Sequence, residues 1–364
     1  MPRSAYRIQG FPALLAGLFL LSLGCGTRSA HAPGPSAPGS EASGLATLVF
    51  EGGCDASGAV ALEGGRFIVG DDEDNILRVY DGRRGGKPLY SVDLSPHLEL
   101  PAKKRPPEVD IEAATELGAL DFWLSSHGRN SSGKEQPSRF RLFATTPPKE
   151  GTPLQFAGRP YTQLLEDLLA DPRLGSLGLA EASKLAPKEQ GGLNIEGMTA
   201  MPDGNSLLIG FRNPRPQGKA LAIPVLNPKE IIEQGQAARF GPPTLLDLQG
   251  LGIRSLSWWR GRYLIIAGAV ASEASSRLFT WRGGDDAPVP VSAADFTGLN
   301  PEAFVSPEDQ EEILVLSDDG TALLDGVECK RLKDPSLKRF RGVWMRLPED
   351  SGVTSPETRG ANGP

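Results

Sequence analysis

Short apolar runs, β-branched or aromatic, recur along this chain and alternate with polar turns rich in Gly, Asp and Asn. Arg66-Phe67-Ile68-Val69-Gly70 leads into the acidic turn Asp71-Asp72-Glu73-Asp74-Asn75. Pro202-Asp203-Gly204-Asn205 precedes Ser206-Leu207-Leu208-Ile209-Gly210, and Ile313 to Leu316 leads into Ser317-Asp318-Asp319-Gly320. Runs of this length and composition, bounded by turn residues, predict strands joined by hairpins. Helical spacing stands out in one place, residues 162–185. There Leu164, Leu165, Leu168 and Leu169 fall on one face, and Asp171-Pro172 ends the pattern.

A short signature opens five of the strand units: Asp55-Ala56-Ser57-Gly58, Asp110-Ile111-Glu112-Ala113, Asn194-Ile195-Glu196-Gly197, Gly252-Ile253-Arg254-Ser255 and Asn300-Pro301-Glu302-Ala303. The third positions are separated by 55, 84, 58 and 48 residues. A repeated strand unit of about 40–50 residues predicts an all-β fold of the β-propeller type, because one such unit cannot bury both its faces alone. Five blades are expected over residues 46–347, with the helical insertion at 162–185 lengthening one step. Six blades are the alternative if that long step holds another unit. The run Ala46-Thr47-Leu48-Val49-Phe50 would supply the outer strand of the last blade and close the ring. The insertion should then lie in the link to the third inner strand and partly cover Glu196.

Composition frames the rest. Arg3 and Arg7 precede an apolar run, Phe11 to Leu23, too short to span a membrane and suited to a signal peptide over residues 1–24. Leu21-Ser22-Leu23-Gly24-Cys25 resembles the lipobox of bacterial lipoproteins, which implies acylation of Cys25 and attachment to the cell envelope. Gly26 after that cysteine points to the outer membrane by analogy with known lipoproteins. An ordinary signal peptide with an incidental cysteine is the other reading. Residues 25–45 are Gly-, Ser-, Ala- and Pro-rich and read as a flexible linker, and residues 348–364 as a disordered tail. A net charge of −7 without a basic stripe argues against nucleic-acid binding. Cys54 and Cys329 fall in the first and last repeats. Export would allow a disulfide between them; two buried thiols are the alternative.

In a propeller the start of an inner strand and the end of the next strand lie on one face. Glu112, Glu196, Glu302 and Arg254 should therefore share a funnel with Asp71, Asp72, His127, Arg129, Arg212, Asn213, Asp318 and Asp319. Crowded carboxylates need a counter-charge. Arg254 and Arg212 could supply part of it. A divalent cation such as calcium, which takes six to eight oxygens, could supply the rest, with Asp71, Asp72, Asp318 and Asp319 as candidate ligands. Glu112, Glu196, Glu302, Arg254, Arg212, Asn213 and His127 are candidates for holding a small-molecule or protein ligand. No His or Cys pair has zinc spacing.

The order of these motifs resembles the bacterial family catalogued as domain of unknown function 3616, over roughly residues 48–347 and most specifically over 194–214. That resemblance implies a propeller-like domain and brings no established activity. Ile111-Glu112-Ala113 and Ile195-Glu196-Gly197-Met198 are also similar to strand starts of phytase-like esterase propellers; Ser57 and Arg254 depart from that pattern. Three functions stay open: a ligand-binding propeller, a metal-assisted phosphoester or ester hydrolase, and a protein-interaction scaffold. Three carboxylates within reach of one ion would favour the first two.

Overall fold

The computed structural model describes residues 46–101, 103, 104, 106–149, 153–270 and 276–348. The expected signal peptide, the whole linker with Cys25, and all but one residue of the tail lie outside them. In chain order the strands are β1 (Thr47–Glu51), β2 (Ala56–Leu62), β3 (Arg66–Asp71), β4 (Ile76–Asp81), β5 (Tyr90–Asp93), β6 (Ile111–Leu117), β7 (Leu120–Ser125), β8 (Leu142–Thr146) and β9 (Gln155–Tyr161). They continue with β10 (Asn194–Ala200), β11 (Leu207–Asn213), β12 (Ala220–Val225), β13 (Thr244–Leu246), β14 (Gly252–Trp259), β15 (Arg262–Gly268), β16 (Arg277–Trp281) and β17 (Val289–Pro290). The last are β18 (Pro301–Val305), β19 (Glu312–Ser317), the small hairpin β20 (Leu323–Leu324) and β21 (Val327–Glu328), and β22 (Arg339–Arg346).

Twenty of these form five antiparallel four-stranded sheets, each a blade running from its signature strand outward: β2 to β5, β6 to β9, β10 to β13, β14 to β17, and β18-β19-β22-β1. The inner strands β2, β6, β10, β14 and β18 pack side by side around a ring that closes from β18 back to β2. The fold is a five-bladed β-propeller. The long sequence step contains the insertion and no sixth blade.

Period-2 alternation explains the core. Leu207, Ile209 and Phe211 of β11 point into the layer shared with the second blade, and Leu208 points into the layer shared with the fourth. Five apolar layers result, one at each junction between neighbouring blades. No blade owns a core of its own, which is why the signature must recur.

Small residues at the fourth signature position follow from how closely inner strands approach. A Cβ on Gly58 would lie 2.8 Å from the Ala113 carbonyl carbon of the next blade, and backbone there cannot swing aside. A Cβ on Gly210 would meet Ile253, the second signature residue of the following blade, at 2.7 Å.

β1 is the outermost strand of the fifth blade, paired with β22 from Thr47↔Val343 to Glu51↔Arg339. Phe50 sits at this seam, stacked on Phe340 at 5.1 Å and edge-on to Phe67 at 5.1 Å. A disulfide joins Cys54 to Cys329 across the same seam, with Cα atoms 5.9 Å apart, a span a disulfide readily bridges. One edge of the sheet series is thereby removed.

The insertion between β9 and β10 holds helices α1 (Leu164–Ala170) and α2 (Leu179–Ala182) around a 3-10 turn, Pro172–Leu177. Its expected position over Glu196 needs correction. Leu164, Leu165, Leu168, Leu174 and Leu179 bury in the apolar layer between the second and third blades. Asp167 accepts the Ala238 N–H at 2.8 Å, and Arg173 donates to the Phe240 carbonyl at 3.0 Å. The leucines find apolar surface in that seam and none at a charged channel mouth. Only the segment after the helices, Ala186 to Lys188, reaches the mouth.

Candidate functional site

The inner strands share a local device. In every inner pair the register skips one residue, between Ala56 and Gly58, Ile111 and Ala113, Ile195 and Gly197, Ile253 and Ser255, and Pro301 and Ala303. Each skipped residue is the third signature position: Ser57, Glu112, Glu196, Arg254 or Glu302. A β-bulge leaves its extra residue out of the ladder and re-aims its side chain. Four of the five side chains thereby enter one cavity of about 680 Å³ on the channel axis.

Nine carboxylates line that cavity (Asp55, Asp72, Glu73, Glu108, Asp110, Glu112, Glu196, Glu302, Asp318) against five basic groups (Arg139, Lys188, Arg212, Arg254, Lys330). The imbalance is not uniform around the ring.

On the side formed by the third to fifth blades, acids and guanidiniums interlock. Glu196 Oε1 accepts from Arg212 Nη1 at 2.8 Å and from Asn194 Nδ2 at 2.5 Å. Arg212 is itself held by two bonds to the Ala269 carbonyl, at 3.0 and 2.8 Å. Arg254 reaches Glu302 at 2.5 Å, Glu196 at 3.7 Å and Asp318 at 3.8 Å, and also donates to Asn300. These three carboxylates hold the Arg254 guanidinium charged despite its burial. Burial nonetheless outweighs Arg254 at Glu302 and pushes its carboxyl up to about 8.

The first and second blades present the opposite case. Glu112 is 7% exposed and has neither a hydrogen bond nor an ion pair among the described residues. Buried oxygens of Asp55 (Oδ2) and Asp72 (Oδ1) also lack partners. Burial, reinforced by neighbouring carboxylates, raises the Asp72 and Glu112 carboxyls well above their ordinary range. The same causes push Asp55 up to about 11, so it is a neutral acid hydrogen-bonded to Asp318. Burial would raise Asp318 too, but the Asp55 proton and Arg254 hold it below the usual carboxylate value. Asp110 is the exception on this side. Arg139 pairs with it at 2.9 Å, yet burial still lifts it to about 6.

Three carboxylate triads have ligand oxygens within 4.8 Å of one another: Asp55, Asp72 and Glu73; Asp72, Asp110 and Glu112; and Glu112, Glu196 and Glu302. Such groups of hard oxygens could hold a divalent cation.

Residues 148–319 match the profile of the family described as Protein of unknown function (DUF3616). The match runs from the end of the second blade through the third and fourth to β19, a narrower span than the 48–347 over which the motifs resemble that family. It includes Glu196, Arg212, Arg254 and Glu302, and leaves out Asp55, Asp72, Asp110 and Glu112. No curated protein matches this sequence. Among solved structures, the chain is similar to the glutaminyl cyclase of Myxococcus xanthus, with 10% identity over 84% of this chain and 96% of that one and a TM-score of 0.43. It is also similar to the PQQ-bound aldose sugar dehydrogenase of Streptomyces coelicolor, with 12% identity, 83% and 99% coverage and a TM-score of 0.39.

Of the residues expected at the funnel, Glu112, Glu196, Glu302, Arg254, Arg212, Asp72 and Asp318 line the cavity. Five others do not. Asp71 faces the backbone and accepts the N–H groups of Cys54 at 3.1 Å, Asp55 at 3.3 Å and Glu73 at 3.0 Å, so it shapes the turn instead of offering a metal ligand. Asp319 is spent on Arg341, at 2.8 and 2.7 Å, and on Ser317. Asn213 donates to the Pro187 and Glu189 carbonyls and tethers the end of the insertion. His127, 1% exposed, binds the Ser125 carbonyl through Nδ1 and lies against Phe140; burial lowers its pKa to about 4, so it stays neutral. Arg129 donates to Ser183 and Gly133 carbonyls. Ser57 turns toward the opposite end of the channel, where it lines a second cavity of about 380 Å³ with Ser255 and Ser257.

Asp55, Asp110, Asn194 and Asn300, the first signature positions, line the acidic cavity too and were not among the expected ligands. Their signal was present. Four of five copies carry Asp or Asn there, two residues before the third position, a spacing that shares a face in a strand. Arg139, from a 3-10 turn after β7, had no such signal.

Proposed function

We propose that this chain is an exported, envelope-anchored propeller that binds a divalent cation, calcium foremost, at the Glu112–Glu196–Glu302 triad and holds a small anionic ligand through it. The observation that carries this reading is Glu112. A buried carboxylate with no partner costs free energy unless it is protonated or neutralised by a ligand. Because ligand oxygens of Glu196 and Glu302 lie within 4.8 Å of that of Glu112, one cation among the three would offset that cost. Three oxygens within reach of one ion also favour this reading over a scaffold that uses only outer blade faces.

A metal-assisted hydrolase is the second reading. Arg212 and Arg254 flank the same triad, where they could steady negative charge developing on a phosphoester or ester.

Isothermal titration of the purified protein with calcium tests the binding reading. Saturable heat is expected, lost or weakened roughly 10–100-fold in Glu112→Gln. Absence of any calcium, magnesium or manganese binding would sink it. A phosphatase and esterase panel on the cation-loaded protein separates the two readings. For the anchor, Cys25→Ser should move the protein from the membrane fraction to the soluble periplasm, since acylation there would supply the membrane affinity. Among the described residues no helix is long and apolar enough to cross a membrane. Unchanged fractionation would refute the lipoprotein assignment.

A further inference from the structure

The three carboxylate triads are not separate. Asp72 belongs to two of them and Glu112 to two, so that the ligand oxygens run as one continuous series from Glu73 and Asp55 through Asp72, Asp110 and Glu112 to Glu196 and Glu302. A carboxylate has two oxygens and can serve two ions at once. Sites of that kind hold cations about 3.5–4 Å apart and clamp an oxyanion between them.

Glu112 occupies the shared corner. It comes from a bulge in β6, is nine-tenths buried, lines the cavity, and has neither of its oxygens engaged. A single ion at the Glu112–Glu196–Glu302 triad would use part of its capacity and leave the buried Asp72 Oδ1 on the other side without a partner. Asp110 is paired with Arg139 and also takes a hydrogen bond from the Ser126 side chain, and its carboxylate still lies within 4.8 Å of the Asp72 and Glu112 oxygens. The basic residues add to the contrast. Arg212 and Arg254 already neutralise the Glu196 and Glu302 end, while Asp72 and Glu112 have no guanidinium in contact.

We infer that the channel holds a dinuclear centre: a second divalent cation on Asp72, Asp110 and Glu112, joined to the first by Glu112 as a bridging carboxylate. This deepens the single-cation reading and rests on it. The second ion brings positive charge to Asp72 and Glu112, which have no basic group in contact, and both residues line the acidic cavity. The ligand class that such a pair takes is an oxyanion with two oxygens to share, a phosphate or a carboxylate.

Manganese is the probe, since it replaces calcium and magnesium at oxygen sites and reports its neighbours by electron paramagnetic resonance. Equilibrium dialysis of the full-length protein should give two manganese ions per chain, with a spectrum broadened by exchange between them. Asp72→Asn should reduce this to one ion with the six-line spectrum of isolated manganese, and Asp110→Asn serves as the second variant if Asp72→Asn fails to fold. Glu112→Gln should weaken both ions. One ion per chain in the unaltered protein would overturn the dinuclear centre and leave the single-cation reading standing. Two ions with an uncoupled six-line spectrum would overturn the Glu112 bridge. No bound manganese would overturn the dinuclear centre, and no calcium or magnesium binding besides would overturn the single-cation reading with it.

Discussion

On the wall of the channel built by the third to fifth blades, Glu196, Glu302 and Asp318 each have a guanidinium within 4 Å. On the wall built by the first and second blades, Asp55, Asp72 and Glu112 have none, and burial together with neighbouring carboxylates raises their carboxyls above the ordinary range. Bulges supply Glu196, Arg254 and Glu302 on the first wall and Glu112 on the second, where Asp55 and Asp72 come from outside the bulges. The difference shows that equivalent positions in a repeat can be given to two tasks. One wall is internally neutralised and holds the blades together. The other is left short of positive charge and is completed by something the chain does not carry.

The largest effect should come from cutting the neutralised wall. Arg254→Ala leaves Glu302 and Glu196 buried without their shared partner, at a cost of about 3–5 kcal/mol by urea denaturation. Added calcium should recover part of that loss. A variant as stable as the parent would mean that the two walls do not differ as described. Glu196→Gln is milder, about 1–3 kcal/mol, since the amide oxygen can still accept from Arg212 while the charge is gone.

The pH dependence sharpens the contrast. Asp110 and Glu302 have folded-state values of about 6 and about 8, above the unfolded carboxylate range near 4. A raised value means that the folded state binds the proton more tightly. Their contribution is therefore full below about pH 4 and is lost as pH rises through about 6 to 8. Asp318, held low, works the other way and loses its contribution on acidification. With a chelator present, the melting temperature should fall between pH 5 and 8. With calcium present the slope should flatten, because the ion replaces the departing protons. An identical slope in both conditions would argue against a cation among these carboxylates.

The smallest change in stability should come from Glu112→Gln. The amide is nearly isosteric with the carboxyl and its introduction breaks no hydrogen bond or ion pair among the described residues, so the shift should stay within about 0.5 kcal/mol. Its stabilisation by calcium should nevertheless disappear. A large loss of stability in chelator would show that Glu112 is a blade clasp, and the two walls would then be alike.

The alternation of apolar runs and turns, with the recurring signature, was enough to foretell a propeller of five blades, six being the alternative, and the closing strand β1. These are local properties: period-2 patterning sets which side chains point into the layers between blades, and the recurring signature marks each inner strand. Which polar side chains reach the cavity was decided only by tertiary structure. A one-residue skip in register turns Glu112 inward, yet nothing in its sequence neighbourhood distinguishes it from the ion-paired Glu196. Asp71 and Asp72 are adjacent, and one caps backbone N–H groups while the other lines the site. Asp319 lost its place to Arg341 of β22, and Asn213 to a loop 24 residues earlier. The pairing of charges depends on residues that are distant in the chain, such as Arg254 with Glu302 and Asp55 with Asp318, and only closure of the ring brings them within a few ångströms. Strand periodicity is written residue by residue, whereas compensation of charge is a property of the assembled channel.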